Sequence, residues 1–81
     1  PIARDLSKRG VRIMTIAPGV FETPMMAGAP DAVREPLIAI TQFPKRLGNP
    51  AEFAQEVAHI VNCGYLNGET IRLDSGIRMP A

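Results

Sequence analysis

The run Val-Arg-Ile-Met-Thr-Ile-Ala, residues 11–17, is cut off by Pro18-Gly19, and no other stretch of the chain restricts the fold as tightly. After Arg12 it is apolar or β-branched at every position. Val11, Ile13, Thr15 and Ala17 alternate with Arg12, Met14 and Ile16, so both faces are largely apolar. That is the pattern of a central strand in a parallel sheet covered by helices on both sides. Proline lacks the N–H that continues a ladder, and glycine permits a sharp turn, so the strand is expected to end at Ala17.

The flanking segments fit the same class. Upstream, Ile2, Ala3 and Leu6 share one helical face, and Gly10 is placed to stop the helix. No helix-start signal precedes Ile2 and no initiator methionine is present, so the chain is expected to be a fragment entered in the last turns of a helix. Residues 20–48 form a long connection. Within it Val33, Leu37 and Ile40 have helical spacing that Pro36 interrupts, so one or two short helices in a mobile segment are expected. Long connections in compact domains are often lids or binding loops. Met25 and Met26 near its start and Phe43 near its end suit an apolar ligand, or pack the loop onto the body.

The next helix is the clearest. Asn49 is a good N-cap, Pro50 occupies the first helical position, and Glu52 completes a capping-box pattern, so a helix over 50–61 is predicted. Phe53, Ala54, Val57, Ala58 and Val61 form its apolar stripe, and Gly64 can end it in the left-handed conformation. Asn67-Gly68 then marks a turn before a short strand, 70–73. Strand, helix, strand in this order is a crossover in a parallel sheet, and the class is α/β. Two recognisable strands in 81 residues bury too little surface for a layered core, so the chain should not be stable alone.

Composition narrows the partners. A hydrophobic fraction of 46% argues against disorder, and a net charge of +1 without a basic stripe gives no reason to expect nucleic acid. No apolar run approaches the ~20 residues of a membrane span, and no signal peptide is visible, so no membrane partner is expected. The single Cys63 cannot form an internal disulfide, which makes a reducing, cytoplasmic compartment the default.

In open α/β sheets ligands sit at the carboxyl ends of strands, which here is Pro18-Gly19. The backbone amide and carbonyl groups of Val20 and Phe21, with the Thr23 hydroxyl, could hydrogen-bond a planar amide such as a nicotinamide carboxamide. The simpler alternative is an ordinary turn. Other constellations are weaker. No Gly-rich phosphate loop is present, His59 has no neighbour at metal-ligand spacing, and Cys63 has no evident base. Glu22, Asp31 and Glu35 are most simply solvated loop charges, and Asp74 is expected to bond its own turn. Neither a catalytic set nor a metal site can be argued from this segment.

Three blocks, "RGVRIMTIAPGVFETPM", "RLGNPAEFAQEVAHIV" and "YLNGETIRLDSGIRM", resemble in order and spacing the C-terminal third of the short-chain dehydrogenase/reductases. Within that family the wording is most similar to the type-2 3-hydroxyacyl-CoA dehydrogenases, which are also described as 17β-hydroxysteroid dehydrogenases and use NAD. The resemblance implies the C-terminal part of a Rossmann-type doubly wound parallel sheet. It implies cofactor contacts from Pro18, Gly19, Val20, Phe21 and Thr23 in a nicotinamide-side loop, 18–23. It also implies a mobile substrate loop at about 24–46, with Met25, Met26, Leu37 and Phe43 against the substrate. The helix at 50–61 and the last strand match elements that usually pack across a two-fold axis in tetramers.

The family's Gly-rich cofactor motif, its ribose-binding acid and its Ser, Tyr and Lys set lie outside these 81 residues. The usual Asp-Gly-Gly after the final strand reads Asp74-Ser75-Gly76. The implied chemistry is hydride transfer between a secondary alcohol and the nicotinamide, with a tyrosinate base. An acyl-CoA is the implied substrate, and a mitochondrial matrix location is implied if the source is eukaryotic. The alternatives are an NADPH-dependent 3-oxoacyl reductase, because discrimination of NAD from NADP lies in the family's N-terminal half, and a non-catalytic assembly module. The 81 residues alone are expected to be inactive.

Overall fold

The computed structural model describes residues 2–77. Pro1 of the opening helix and Arg78-Met79 of the last block lie outside them. The order is α1 (Ile2–Ser7), β1 (Thr15–Pro18), α2 (Pro24–Ala27), α3 (Asp31–Ala39), α4 (Pro50–Asn62) and β2 (Thr70–Leu73). The two strands pair in parallel, Thr15 beside Thr70 through Pro18 beside Leu73, so α2, α3 and α4 all lie in one crossover. This is a partial α/β fold.

β1 starts later and ends later than the apolar run suggests. β2 offers only four residues, so residues 11–14 have no ladder to join. They run instead beside the turn before β2, where the Asn67 side-chain oxygen accepts from the Ile13 N–H at 3.0 Å and the Gly68 N–H donates to the Ile13 carbonyl at 2.8 Å. Pro18 still closes the ladder, because the next donor is the Gly19 N–H, 2.9 Å from the Leu73 carbonyl.

α4 forms for local reasons. The Asn49 side chain accepts from the Ala51 N–H at 2.9 Å, and Glu52 accepts from the Asn49 N–H at 2.8 Å, which is the reciprocal capping box. The helix runs one residue beyond 61. Its end does not use Gly64 in the left-handed region, since Cys63 is the C-cap and the positive-φ glycines are Gly10, Gly68 and Gly76. Arg12 supplies the cap instead. Its guanidinium donates to the carbonyls of Ile60, Val61, Cys63 and Leu66 at 3.0–3.3 Å. A cation at a helix C-terminus satisfies the orphan carbonyls and opposes the negative end of the macrodipole.

α3 runs through Pro36 rather than stopping before it. Proline removes one intrahelical bond, but this helix is held on both sides of Pro36. Arg34 is tied to Glu22, and Thr41, only 2% exposed, donates through its hydroxyl to the Ile38 carbonyl at 2.6 Å. Tertiary contacts override the local preference.

Little of the chain is buried. Leu47 and Ile77 are the buried apolar residues among those described. The Phe53, Val57 and Val61 stripe of α4 faces outward, as do both outer edges of the sheet. The accessible surface is 6093 Å², against about 4,800 Å² for a compact chain of this size. The radius of gyration is 15.6 Å, against about 12 Å for a compact domain. Among the described residues, no helix is long and apolar enough to cross a membrane.

Candidate functional site

The carboxyl ends of β1 and β2 converge on the turn after Pro18. Gly19 is required there by the protein itself: a Cβ would lie 2.8 Å from the Asp74 Cβ and 2.9 Å from its Cα. Asp74 is the first residue after β2. It accepts from the Gly76 N–H at 3.1 Å, as an Asp in a turn is expected to, and from Arg72 Nε at 2.9 Å. Ser75 and Gly76 both adopt positive φ, so Asp74-Ser75-Gly76 makes a tight turn through the left-handed region.

Beyond Gly19 the backbone is joined to Gly48. The Gly48 N–H donates to the Val20 carbonyl at 2.9 Å, and the Glu22 N–H donates to the Gly48 carbonyl at 2.8 Å. The Phe21 ring lies against Gly48, where a Cβ would come within 2.6 Å of it, and meets Phe53 edge-on at 6.0 Å. Val20 and Phe21 also line a cavity of about 130 Å³ with Thr41, Leu73, Asp74 and Ile77. The carbonyls of Val20 and Phe21 are engaged within the chain, by the N–H groups of Gly48 and Thr23. The N–H groups of Val20 and Phe21 find no partner among the described residues.

Thr23 caps α2. Its hydroxyl oxygen accepts from the Met26 N–H at 3.3 Å, and its N–H donates to the Phe21 carbonyl at 2.9 Å. The hydroxyl proton is left to donate elsewhere. Of the apolar loop residues, Met25 and Phe43 are each 86% exposed, so neither packs onto the body, while Met26 and Leu37 are half-buried. The far end of the loop is fastened to the turn after β2: the N–H groups of Gln42 and Phe43 donate to the Ser75 carbonyl, and the Ser75 hydroxyl donates to the Pro44 carbonyl.

Two ion pairs brace the loop. Arg34 grips Glu22 with two bonds of 2.6 and 2.7 Å, so Glu22 is not the solvated charge expected of it. Arg46 grips Glu52 at 2.7 and 2.9 Å. These four residues border a wider polar cavity of about 600 Å³, with Lys45 and Gln55. The Arg34 guanidinium holds the Glu22 carboxyl below its usual range. Glu52 is lowered from 4.5 to about 2, first by Arg46 and then by the Asn49 N–H.

A carboxyl whose folded value lies below its unfolded one adds stability that is complete above the unfolded value and is lost as the pH falls through the folded one. Acid titration of the whole protein is therefore expected to lower its melting temperature from pH 4.5 downward, with the Glu52 share exhausted near pH 2. Glu52→Gln should flatten that part of the profile. An unchanged slope in the variant would remove the pair from the acid response.

Sequence reasoning missed Gly48, Arg12 and the Glu22–Arg34 pair. Gly48 sits beside a legible capping box but gives no sign of the ring that needs it. Among the described residues, no three side chains of metal-binding type cluster.

A family profile described as enoyl-(acyl carrier protein) reductase matches residues 1–78. Over 79 residues the chain is 56% identical to 3-hydroxyacyl-CoA dehydrogenase type-2 of Bos taurus, covering 98% of this chain and 30% of the relative. It is 38% identical over 81 residues to the 3-oxoacyl-[acyl-carrier-protein] reductase FabG of Vibrio cholerae, covering 96% of this chain and 32% of the relative. The crystal structure of 3-hydroxyacyl-CoA dehydrogenase type-2 from Mycobacterium avium superposes with a TM-score of 0.91 at 46% identity, covering 98% of this chain and 31% of that one. The chain thus spans about a third of the length of the relatives it matches.

Proposed function

Because the chain belongs to the short-chain dehydrogenase/reductase family, we propose that it provides the nicotinamide-side turn and the substrate loop of an NAD-dependent oxidoreductase. The substrate class is a secondary alcohol or its ketone, most specifically a 3-hydroxyacyl-CoA. The observation that carries the reading is the turn at the carboxyl end of β1. It presents two backbone N–H groups without partners among the described residues and one spare hydroxyl proton.

Those donors fit the oxygen of a carboxamide, and the second lone pair of the Thr23 hydroxyl oxygen could accept from its NH₂. The nicotinamide, when bound, supplies the hydride acceptor or donor. The part of this chain is orientation. Val20 and Phe21 would donate to the carboxamide oxygen through their N–H groups, and Thr23 would hold it through its hydroxyl. Pro18 ends the strand, and Gly19 lets the two strand ends approach. Met26 and Leu37, with the exposed Met25 and Phe43, would cover an acyl chain and keep water from it.

The similarity to type-2 3-hydroxyacyl-CoA dehydrogenases supports the acyl-CoA substrate over a hydroxysteroid. The similarity to FabG keeps an NADPH-dependent 3-oxoacyl reductase as the second reading. The outward apolar stripe of α4 and the open edge of β2 support a homotetramer of the whole protein. A single free Cys63 suits a reducing compartment, the cytoplasm or a mitochondrial matrix. Assay of the whole protein with NAD and a 3-hydroxyacyl-CoA, beside NADPH and a 3-oxoacyl thioester, decides between the two cofactors. Turnover with neither pair overturns the proposal.

Thr23→Val tests the turn directly. Loss of one hydrogen bond is expected to weaken NAD binding about 2- to 13-fold, the equivalent of about 0.5–1.5 kcal/mol. Loss of the cap on α2 should cost about 0.5–2 kcal/mol of stability as well. Thr23→Ser, which keeps the hydroxyl, should restore both. Titration of NAD alongside thermal melts separates the two effects. A Thr23→Val protein that binds NAD as before would reduce Thr23 to a helix cap.

A further inference from the structure

We propose that Arg34 is a positioning residue for substrate: with Glu22 it locks α2 and α3 onto the nicotinamide-side turn, so that the substrate loop presents its apolar side chains from one fixed frame. The inference rests on the dehydrogenase reading above. It starts from an ion pair that joins two parts of the loop 12 residues apart. The pair is bidentate, at 2.6 and 2.7 Å, and the same guanidinium donates a third bond to the Met26 carbonyl at 2.9 Å.

The Met26 carbonyl is also where α2 ends, since it accepts from the cap N–H of Gly28 and from the N–H of Ala29 at 3.1 Å. Arg34 therefore ties the middle of α3 to the end of α2 and to the residue before Thr23. Glu22 gives this tie a fixed footing, because its own N–H is bonded to the Gly48 carbonyl at 2.8 Å. The far end of the loop is held separately by Thr41 and by the bonds of Gln42 and Phe43 to Ser75. The Lys45 ammonium holds the end of α3 through the Ala39 carbonyl at 2.9 Å; among the described residues, Arg34 is the side chain that ties α3 back to α2 and to Glu22.

A partly exposed ion pair adds little to global stability, so a stability role does not account for this arrangement. Its directional content is larger. A planar fork gripping a carboxylate fixes orientation as well as distance, and an ammonium cannot reproduce it. The apolar residues at stake are close by: Met25 and Met26 stand on α2, and Leu37 stands one turn beyond Arg34 on α3. An arrangement of this kind acts on the fit of the acyl substrate and leaves the carboxamide contacts of Val20 and Phe21 untouched.

The test uses the whole enzyme with Arg34→Met, Arg34→Lys, Glu22→Gln, and Arg34→Met combined with Glu22→Gln. Arg34→Met is expected to raise KM for a 3-hydroxyacyl-CoA about tenfold, with kcat and the NAD dissociation constant within about twofold of the parent. Arg34→Lys should recover only part of the loss. The double variant should do no more harm than Arg34→Met alone, since both remove one interaction. Amide hydrogen exchange over residues 24–34 should accelerate in Arg34→Met. Faster exchange with KM unchanged, or equal losses in KM and NAD binding, overturns the positioning role. If the parent enzyme fails to turn over the 3-hydroxyacyl-CoA, the dehydrogenase reading falls, and unaltered exchange in Arg34→Met then overturns the lock on its own.

Discussion

Gly19→Val in the whole protein is expected to cost about 3 kcal/mol or more, enough to leave a marginal domain largely unfolded at ordinary temperature. The first added carbon would stand 2.8 Å from the Asp74 Cβ and 2.9 Å from the Asp74 Cα, and 3.3 Å from the Ile77 side chain. Backbone cannot yield as a flexible side chain does. The Gly19 N–H is also bound to the Leu73 carbonyl, so relief of the clash would pull the two strand ends apart. The φ of Gly19 is not positive, so the effect is steric and not conformational. Gly64→Ala is the control. A Cβ there meets nothing within 4 Å and the φ is ordinary, so the change should be neutral or slightly stabilising, by about 0.4–1 kcal/mol. Denaturant melts of both variants decide the matter. A Gly19→Val protein as stable as its parent but weak in NAD binding would mean that the glycine serves the cofactor and not the fold.

The 81 residues on their own are expected to show no dehydrogenase turnover and no cooperative thermal transition. Three features converge on this. The surface excess over a compact chain is on the order of 1,000 Å². Among the described residues the sheet is two short strands with both outer edges open, which is at best marginal in water. The described residues present no proton-transfer set, and the blocks that hold the cofactor's phosphates in the family have no counterpart in this sequence. Calorimetry of a monomeric sample, with absorbance of the reduced cofactor followed beside it, checks both halves. A sharp calorimetric transition would favour the alternative of an independent assembly module. Turnover in a sample of verified mass would place the chemistry in these residues after all.

What could be foreseen from the sequence divides along the range of the forces involved. α4 was legible because Asn49, Pro50 and Glu52 settle its start within four residues, and β2 because Asn67-Gly68 marks the turn that precedes it. The parallel α/β class followed from the order of these elements. The errors came where a distant residue decided the outcome. Residues 11–14 look like strand, but the partner that would make them so is absent from the ladder. Gly64 looks like a helix stop, but Arg12 does that work from 48 or more residues away. Pro36 looks like a break, but Glu22 and Thr41 hold the helix together from outside it. At the site, Pro18, Gly19 and Thr23 stood out by residue type, whereas the reason for Gly19 is the Asp74 backbone and the reason for Gly48 is the Phe21 ring. Neither leaves a periodic trace.

The Arg12 cap also bears on how the chain is made. Its partners at Ile60 and Leu66 follow it by 48 and 54 residues. A ribosome adding about 5–20 residues per second delivers them roughly 2–11 s after Arg12 has been synthesised. Until then the carbonyls that this guanidinium will hold do not exist, and the segment leading into β1 has nothing to dock against. β2, which must pair with β1, comes later still. The order of synthesis therefore makes closure of this unit a late event that waits on the segment from Ile60 through Leu73, and a nascent chain halted before Ile60 would expose the apolar run at residues 11–17 with neither its cap contacts nor its strand partner.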